Sequence, residues 1–94
     1  MRAIRELNSF KRDIKRVRAN PHHRDVYELL SIALVHLSRD VPLPERYRDH
    51  PLSGEWRGSR DCHLKSDLLL IYRKPGPNML ELVRLGTHSE LFRK

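Results

Sequence analysis

Leu68-Leu69-Leu70-Ile71-Tyr72-Arg73, then Lys74-Pro75-Gly76-Pro77-Asn78, then Met79-Leu80-Glu81-Leu82-Val83-Arg84-Leu85-Gly86-Thr87 is the stretch that decides the fold. The first segment is an apolar run of strand length, with the composition of a buried strand. The proline-glycine segment is a turn, and Met79 to Thr87 completes a hairpin. Upstream, Trp56 to Leu64 also reads as a strand, so the C-terminal half is a three-stranded antiparallel meander.

The N-terminal half is helical. Phe10, Ile14 and Val17 fall at helical spacing between Ser9 and Arg18, with Leu7 just ahead and Ser9 as the expected N-cap. Lys11, Arg12, Lys15, Arg16 and Arg18 coat the other faces of this helix. Asn20-Pro21 reads as a break and restart. A second helix is expected from about His22 to Ser38, burying Val26, Leu29, Leu30, Ala33 and Leu37. Asp40-Val41-Pro42-Leu43-Pro44 ends it, because proline disfavours helix before it. Arg2 to Arg5 reads as a short edge strand. The fold class is therefore α+β: a short N-terminal strand, two helices, then the meander, in one domain over residues 1–94.

The chain carries 19 Lys plus Arg against 12 Asp plus Glu, a net charge of +7. Such a surface attracts polyanions. Nucleic acid is the first candidate, an acidic protein the second, an anionic membrane surface the third. A single cysteine, Cys62, excludes an internal disulfide and a multi-thiolate zinc site. No apolar run is long enough to span a membrane and no signal core follows Met1, so a cytoplasmic location is expected.

His50, His63 and His88 each lie in a compact polar cluster of the C-terminal half, and imidazole titrates near neutral pH. Alternation along a strand puts Asp61 and His63 on one face. It puts Arg84, Gly86 and His88 on one face of the last strand. A tight turn near Lys65-Ser66 would set His63 opposite Leu68, and the turn near Gly76 would set Leu68 opposite Arg84. These side chains then converge at one end of the sheet, provided the register holds. Singly, each has a plainer reading. His88 can cap the sheet, His50 can bond loop backbone, Asp61 can pair with Arg60 or Arg57, Asp67 can form a turn, and Trp56 can pack. His22, His23 and His36 receive no role.

Leu43-Pro44, Tyr47-Arg48-Asp49-His50-Pro51-Leu52, Gly54, Trp56, Gly58, Arg60-Asp61-Cys62-His63, Asp67, Leu70-Ile71-Tyr72, Arg84 and Gly86-Thr87-His88-Ser89-Glu90-Leu91-Phe92 closely resemble the YafQ branch of the RelE/ParE superfamily. These are bacterial toxins of type II toxin–antitoxin pairs. The resemblance implies a RelE-like microbial RNase fold and a ribosome-dependent mRNA endoribonuclease that cuts in the decoding site and inhibits translation. It implies His50, His63, Asp67 and His88 as catalytic residues. Arg84 and Phe92 match positions of phosphate contact and substrate placement, and Asp61 a further substrate-side position. The implied partners are the ribosome, mRNA and a DinJ-like antitoxin in a heterotetramer.

RNA supplies its own nucleophile, the 2′-OH beside the scissile phosphate. The enzyme must add a base, a cation and an acid. On this reading His50 or His63 is the base, His88 the acid, Arg84 the cation, and Asp67 orients a histidine. No metal or other cofactor is called for. Lys11, Arg12, Lys15, Arg16 and Arg18 are the expected grip on ribosomal RNA. Three rivals stand beside this reading: a gyrase poison of the same superfamily, a non-enzymatic RNA-binding module, and a metal nuclease using Asp61, His63 and Asp67.

Overall fold

In the computed structural model, which describes residues 1–92, the elements follow the α+β order. Strand β1 (Ala3–Glu6) leads to helix α1 (Asn8–Ala19), a 3-10 turn (Pro21–His23) and helix α2 (Val26–Ser38). A second 3-10 turn (Glu45–Tyr47), strand β2 (His50–Pro51) and a third 3-10 turn (Gly54–Trp56) come next. Strands β3 (Arg60–Lys65), β4 (Leu68–Arg73) and β5 (Met79–Gly86) form the meander, and helix α3 (His88–Phe92) follows. The sheet order is β1-β5-β4-β3-β2, with β1 parallel to β5 and every other pair antiparallel.

Strand β4 lies at the centre and is buried on both faces, which is why its sequence is a continuous apolar run rather than an alternating one. Leu68, Leu70 and Tyr72 pack against Phe10, Ile14 and Val17 of α1 and Val26, Leu30, Ala33 and Leu37 of α2. Leu69 and Ile71 point the other way, into a smaller cluster with Val83 and Leu91, flanked by Leu52, Trp56 and Phe92. Each such side chain stabilises the fold by about 2 kcal/mol through burial.

Beyond Leu82, strand β5 has outrun β1 and would expose a free edge. Helix α1 covers that edge with polar atoms. The Leu7 N–H donates to the Leu82 carbonyl at 3.0 Å. The Ser9 hydroxyl donates to the Val83 carbonyl at 2.6 Å, the Leu85 N–H donates to Asp13 Oδ2 at 2.9 Å, and Arg16 Nη2 donates to the Leu85 carbonyl at 3.0 Å. A helix therefore completes the ladder that a strand would otherwise complete. Ser9 consequently lies inside α1, with Leu7 at the N-cap position and no side-chain cap bond.

Other boundaries shift for local reasons. The Asn20 side chain accepts from the His22 N–H, so Pro21 opens a 3-10 turn and α2 starts only at Val26. Trp56 belongs to a 3-10 turn, and the left-handed backbone at Gly58 (φ 94°) redirects the chain before β3 begins at Arg60. The expected register is corrected. The β3–β4 turn is centred between Ser66 and Asp67, with Lys65 opposite Leu68, and a bulge between His63 and Lys65 then sets His63 opposite Leu69 and not Leu68. Arg84 pairs with Ile71 instead of Leu68, and a second bulge follows between Ile71 and Tyr72. His88 does not continue the last strand; it opens α3.

Candidate active site

The short β2 exists to present His50. Its pairing sets His50 opposite Asp61 and Pro51 opposite Arg60. The preceding loop is anchored in the core, where the Tyr72 hydroxyl donates to Asp49 Oδ1 at 2.6 Å and Arg60 Nε lies 3.2 Å from the same oxygen. Burial, reinforced by the bond to Asp49, pushes the Tyr72 hydroxyl far up, so it stays a donor. His50 Nδ1 lies 2.7 Å from the Arg48 carbonyl, which can only accept. Nδ1 therefore carries the hydrogen, and in the neutral ring Nε2 holds the lone pair.

Asp61 lies beneath His50, with only 2% of its surface exposed. Its Oδ1 is 3.1 Å from His50 Nδ1 but receives no hydrogen bond, because the one Nδ1 hydrogen is directed at Arg48. Burial pushes the Asp61 carboxyl above its ordinary value, and the nearby imidazoles of His50, His63 and His88 pull it partway back. The carboxylate expected on the substrate side is thus a buried charge under the histidines.

Two residues along the same face, His63 stands 6.0 Å from His88, ring centre to ring centre, in an edge-on arrangement. The His88 ring is 5.6 Å from Phe92, and Phe92 meets Trp56 edge-on at 6.1 Å. Helix α3 holds this row in place. The His88 N–H donates to Asp67 Oδ1 at 3.0 Å, tying α3 to the β3–β4 turn. Thr87 and Glu90 form a capping box, with the Thr87 N–H on Glu90 Oε1 at 2.9 Å and the Glu90 N–H on Thr87 Oγ1 at 3.3 Å. His50, His63, Asp67, His88 and Phe92 thus share one end of the sheet, with His50 and His88 more than half exposed.

Arg84 is on the same face, in the row of Ile71 and Asp61, two strands from Asp61. Its guanidinium turns to α1, where Nε meets Asp13 Oδ2 at 2.6 Å and Nη2 meets Asp13 Oδ1 at 3.2 Å. Burial alone would push Asp13 up. The bonds from Arg84, the Leu85 N–H and Arg16 outweigh it and hold the carboxyl below its ordinary value. Arg16 also reaches Glu90 Oε2 at 3.0 Å. A Cβ on Gly86 would come within 2.9 Å of Arg16 Nη2 and Glu90 Oε1, so a side chain there would displace the ends of this pair.

The basic helix divides. The side chains of Lys11, Arg12 and Lys15 are exposed and make no hydrogen bond or ion pair among the described residues. Arg16 is engaged with Asp13, Glu90 and Leu85, and Arg18 lies against Tyr27. Cys62 is fully buried in the helix-side core, and burial pushes its thiol far up, so it packs rather than reacts. Among the described residues no three His, Cys, Asp or Glu side chains are grouped so as to hold a metal ion. Asp13 and the Thr87–Glu90 box were not among the expected residues. The box was readable as Thr-x-x-Glu, and Asp13 as the one acid on a basic helix, adjoining its apolar stripe.

Solved structures that share this architecture include bacterial toxins. A metal-bound toxin from Helicobacter pylori superposes with a TM-score of 0.86 at 43% identity, covering 98% of this chain and 100% of that one. The toxin of the Escherichia coli DinJ–YafQ complex superposes with a TM-score of 0.81 at 35% identity, covering 98% and 99%. In sequence, the chain is 37% identical over 91 residues to the mRNA interferase toxin YafQ of Escherichia coli K12, covering 97% of this chain and 96% of that one. A family model described as the bacterial toxin of type II toxin–antitoxin system, YafQ, matches residues 2–93. The chain belongs to the YafQ toxin family.

Proposed function

We propose that this protein is the toxin of a type II toxin–antitoxin pair and acts in the cytoplasm as a ribosome-dependent mRNA endoribonuclease. The observation that carries the reading is the bond from His50 Nδ1 to the Arg48 carbonyl, made at the sheet end that also carries the edge-on rings of His63 and His88. It leaves His50 Nε2 as a lone-pair nitrogen at an exposed position, which is what a general base requires. His50 takes the 2′-OH proton, the oxygen attacks the adjacent phosphorus, and His88 protonates the departing 5′ oxygen. The products are a 2′,3′-cyclic phosphate and a 5′-OH. His63, 6.0 Å ring to ring from His88, supports the developing phosphorane. Arg84, fixed through Nε and Nη2 by Asp13, keeps Nη1 for a phosphate oxygen. Asp67 positions His88 through its backbone, and Phe92 offers an aromatic wall beside it. Asp61 acts through His50 and His63 and does not touch RNA. The regulatory partner is a DinJ-like antitoxin, as in the Escherichia coli complex.

The test is primer-extension mapping of an mRNA in a bacterial cell-free translation reaction, with the wild-type protein and with His88→Ala. Codon-phased cuts by wild type alone are expected. Unimpaired translation with no cuts from either protein overturns the nuclease reading. Products ending in 3′-OH and 5′-phosphate overturn 2′-OH attack.

A further inference from the structure

We infer that a cationic cleft beside the histidines, walled by Arg46 and Arg48, is a second phosphate subsite that holds the mRNA strand at a linkage flanking the scissile one. The inference rests on the nuclease reading above. The cleft measures about 410 Å³ and is lined by Arg46, Arg48, His63, Leu64, Lys65 and Ser66. His63 therefore lines this cleft and also belongs to the histidine row, so the two adjoin. The lining contains no carboxylate to compete for the cations.

The two arginines differ from Lys65. Lys65 Nζ is already held by Asp25 Oδ1 at 2.7 Å and by the His22 carbonyl at 2.7 Å. Arg46 and Arg48 pair with no acid among the described residues. The Arg46 guanidinium lies 5.1 Å from the ring of Tyr47, a buried residue, and this stacking limits its freedom before any ligand arrives. Arg48 adopts the left-handed backbone conformation, φ 49° and ψ 41°, which is unfavourable for a residue with a Cβ and is retained where the surroundings require it. Its carbonyl takes the His50 Nδ1 hydrogen. One residue thus fixes the hydrogen of His50 and places a cation in the adjoining cleft. A planar guanidinium donates two parallel bonds to phosphate oxygens, so the chemistry matches a phosphodiester.

The test measures cleavage on ribosomes programmed with short mRNAs that carry a neutral methylphosphonate at one of the linkages flanking the cut. The proteins are wild type and Arg46→Gln/Arg48→Asn; asparagine tolerates the left-handed backbone. For the double variant on ordinary mRNA, KM should rise about tenfold; kcat is read in Arg46→Gln alone, which leaves the Arg48 carbonyl bond to His50 untouched and should keep kcat within about twofold, the pattern of lost uniform binding. The salt slope of log(kcat/KM) should fall by about 0.7, one neutralised phosphate of a single strand. One methylphosphonate should raise KM for wild type and leave the double variant unaffected. An unchanged KM in the variant overturns the subsite. So does an equal response of both proteins to every methylphosphonate, since the arginines would then serve ribosomal RNA. Absence of cutting by wild type overturns the nuclease reading itself, an outcome distinct from cutting that ignores these arginines.

Discussion

Arg16 Nε stands 3.0 Å from Glu90 Oε2, so the first helix is joined directly to the five-residue helix that carries His88 and Phe92. Both side chains are more than a third exposed, and such pairs contribute little to global stability. Their consequence is positional. Glu90 also caps α3 through the Thr87 N–H. Replacing Glu90 by alanine should therefore lower kcat about tenfold through a misplaced His88, while shifting Tm by less than about 5 °C. Steady-state cleavage and a thermal melt of one preparation check this. A large fall in Tm with a proportionate loss of all activity would point to a scaffold role instead.

Ribosome binding by the first helix should rest on Lys11, Arg12 and Lys15, whose side chains are exposed. Lys11→Glu/Lys15→Glu should weaken sedimentation with ribosomes and flatten the salt dependence, with Tm unchanged. Reversing Arg16 should destabilise the protein whatever its effect on binding, because Arg16 bonds Asp13, Glu90 and the Leu85 carbonyl. Full ribosome binding by the Lys11/Lys15 variant would remove the helix from the contact.

Asp13 should make stability pH-dependent in a definite direction. Its carboxyl is held below the ordinary value of 3.8, so its contribution is full above that pH and is lost as pH falls through the lower folded value. Asp13→Asn should cost about 3 kcal/mol at pH 7, since it breaks a buried pair and leaves Arg84 uncompensated. Urea titrations of both proteins should give a gap that is constant from pH 7 to pH 5, narrows below 3.8 and closes in stronger acid. A gap that widens on acidification would contradict the assignment.

Strand β4 was legible because burial on both faces writes itself as five consecutive apolar residues, and the helices because Phe10, Ile14 and Val17 keep helical spacing. The grouping of His50, His63 and His88 was implied by the family resemblance; alternation put Asp61 and His63 on one face but misplaced His88, which opens α3 and does not continue the last strand. Register was not legible, because each turn is centred one residue later than its Lys65-Ser66 or Gly76 reading and the bulges shift the pairing again without marking the sequence: His63 opposes Leu69 and Arg84 opposes Ile71. The docking of α1 on the edge of β5 was also hidden, since it joins residues about seventy positions apart. Asp13 and Arg16 consequently look like surface charges in sequence, yet they hold Arg84 and α3.

Tyr72 reaches from the middle of the sheet to the His50 loop through one bond, its hydroxyl to Asp49 Oδ1 at 2.6 Å. Removing that hydroxyl leaves Asp49 only the Arg60 contact and frees the segment whose carbonyl, at Arg48, fixes the His50 hydrogen. Tyr72→Phe should cost about 1.5 kcal/mol, the value of a hydrogen bond to a charged group. It should also lower kcat by about tenfold, because a base displaced by a fraction of an ångström is a poor base. Leu80→Met supplies the comparison. Leu80 is equally buried but pairs with Ile4 beside the opposite edge of the sheet, and a volume-conserving exchange there costs at most about 1.5 kcal/mol. Matched losses of Tm with kcat reduced only in Tyr72→Phe are expected. Equal kcat in both variants would mean that the His50 loop keeps its geometry without the Tyr72–Asp49 bond.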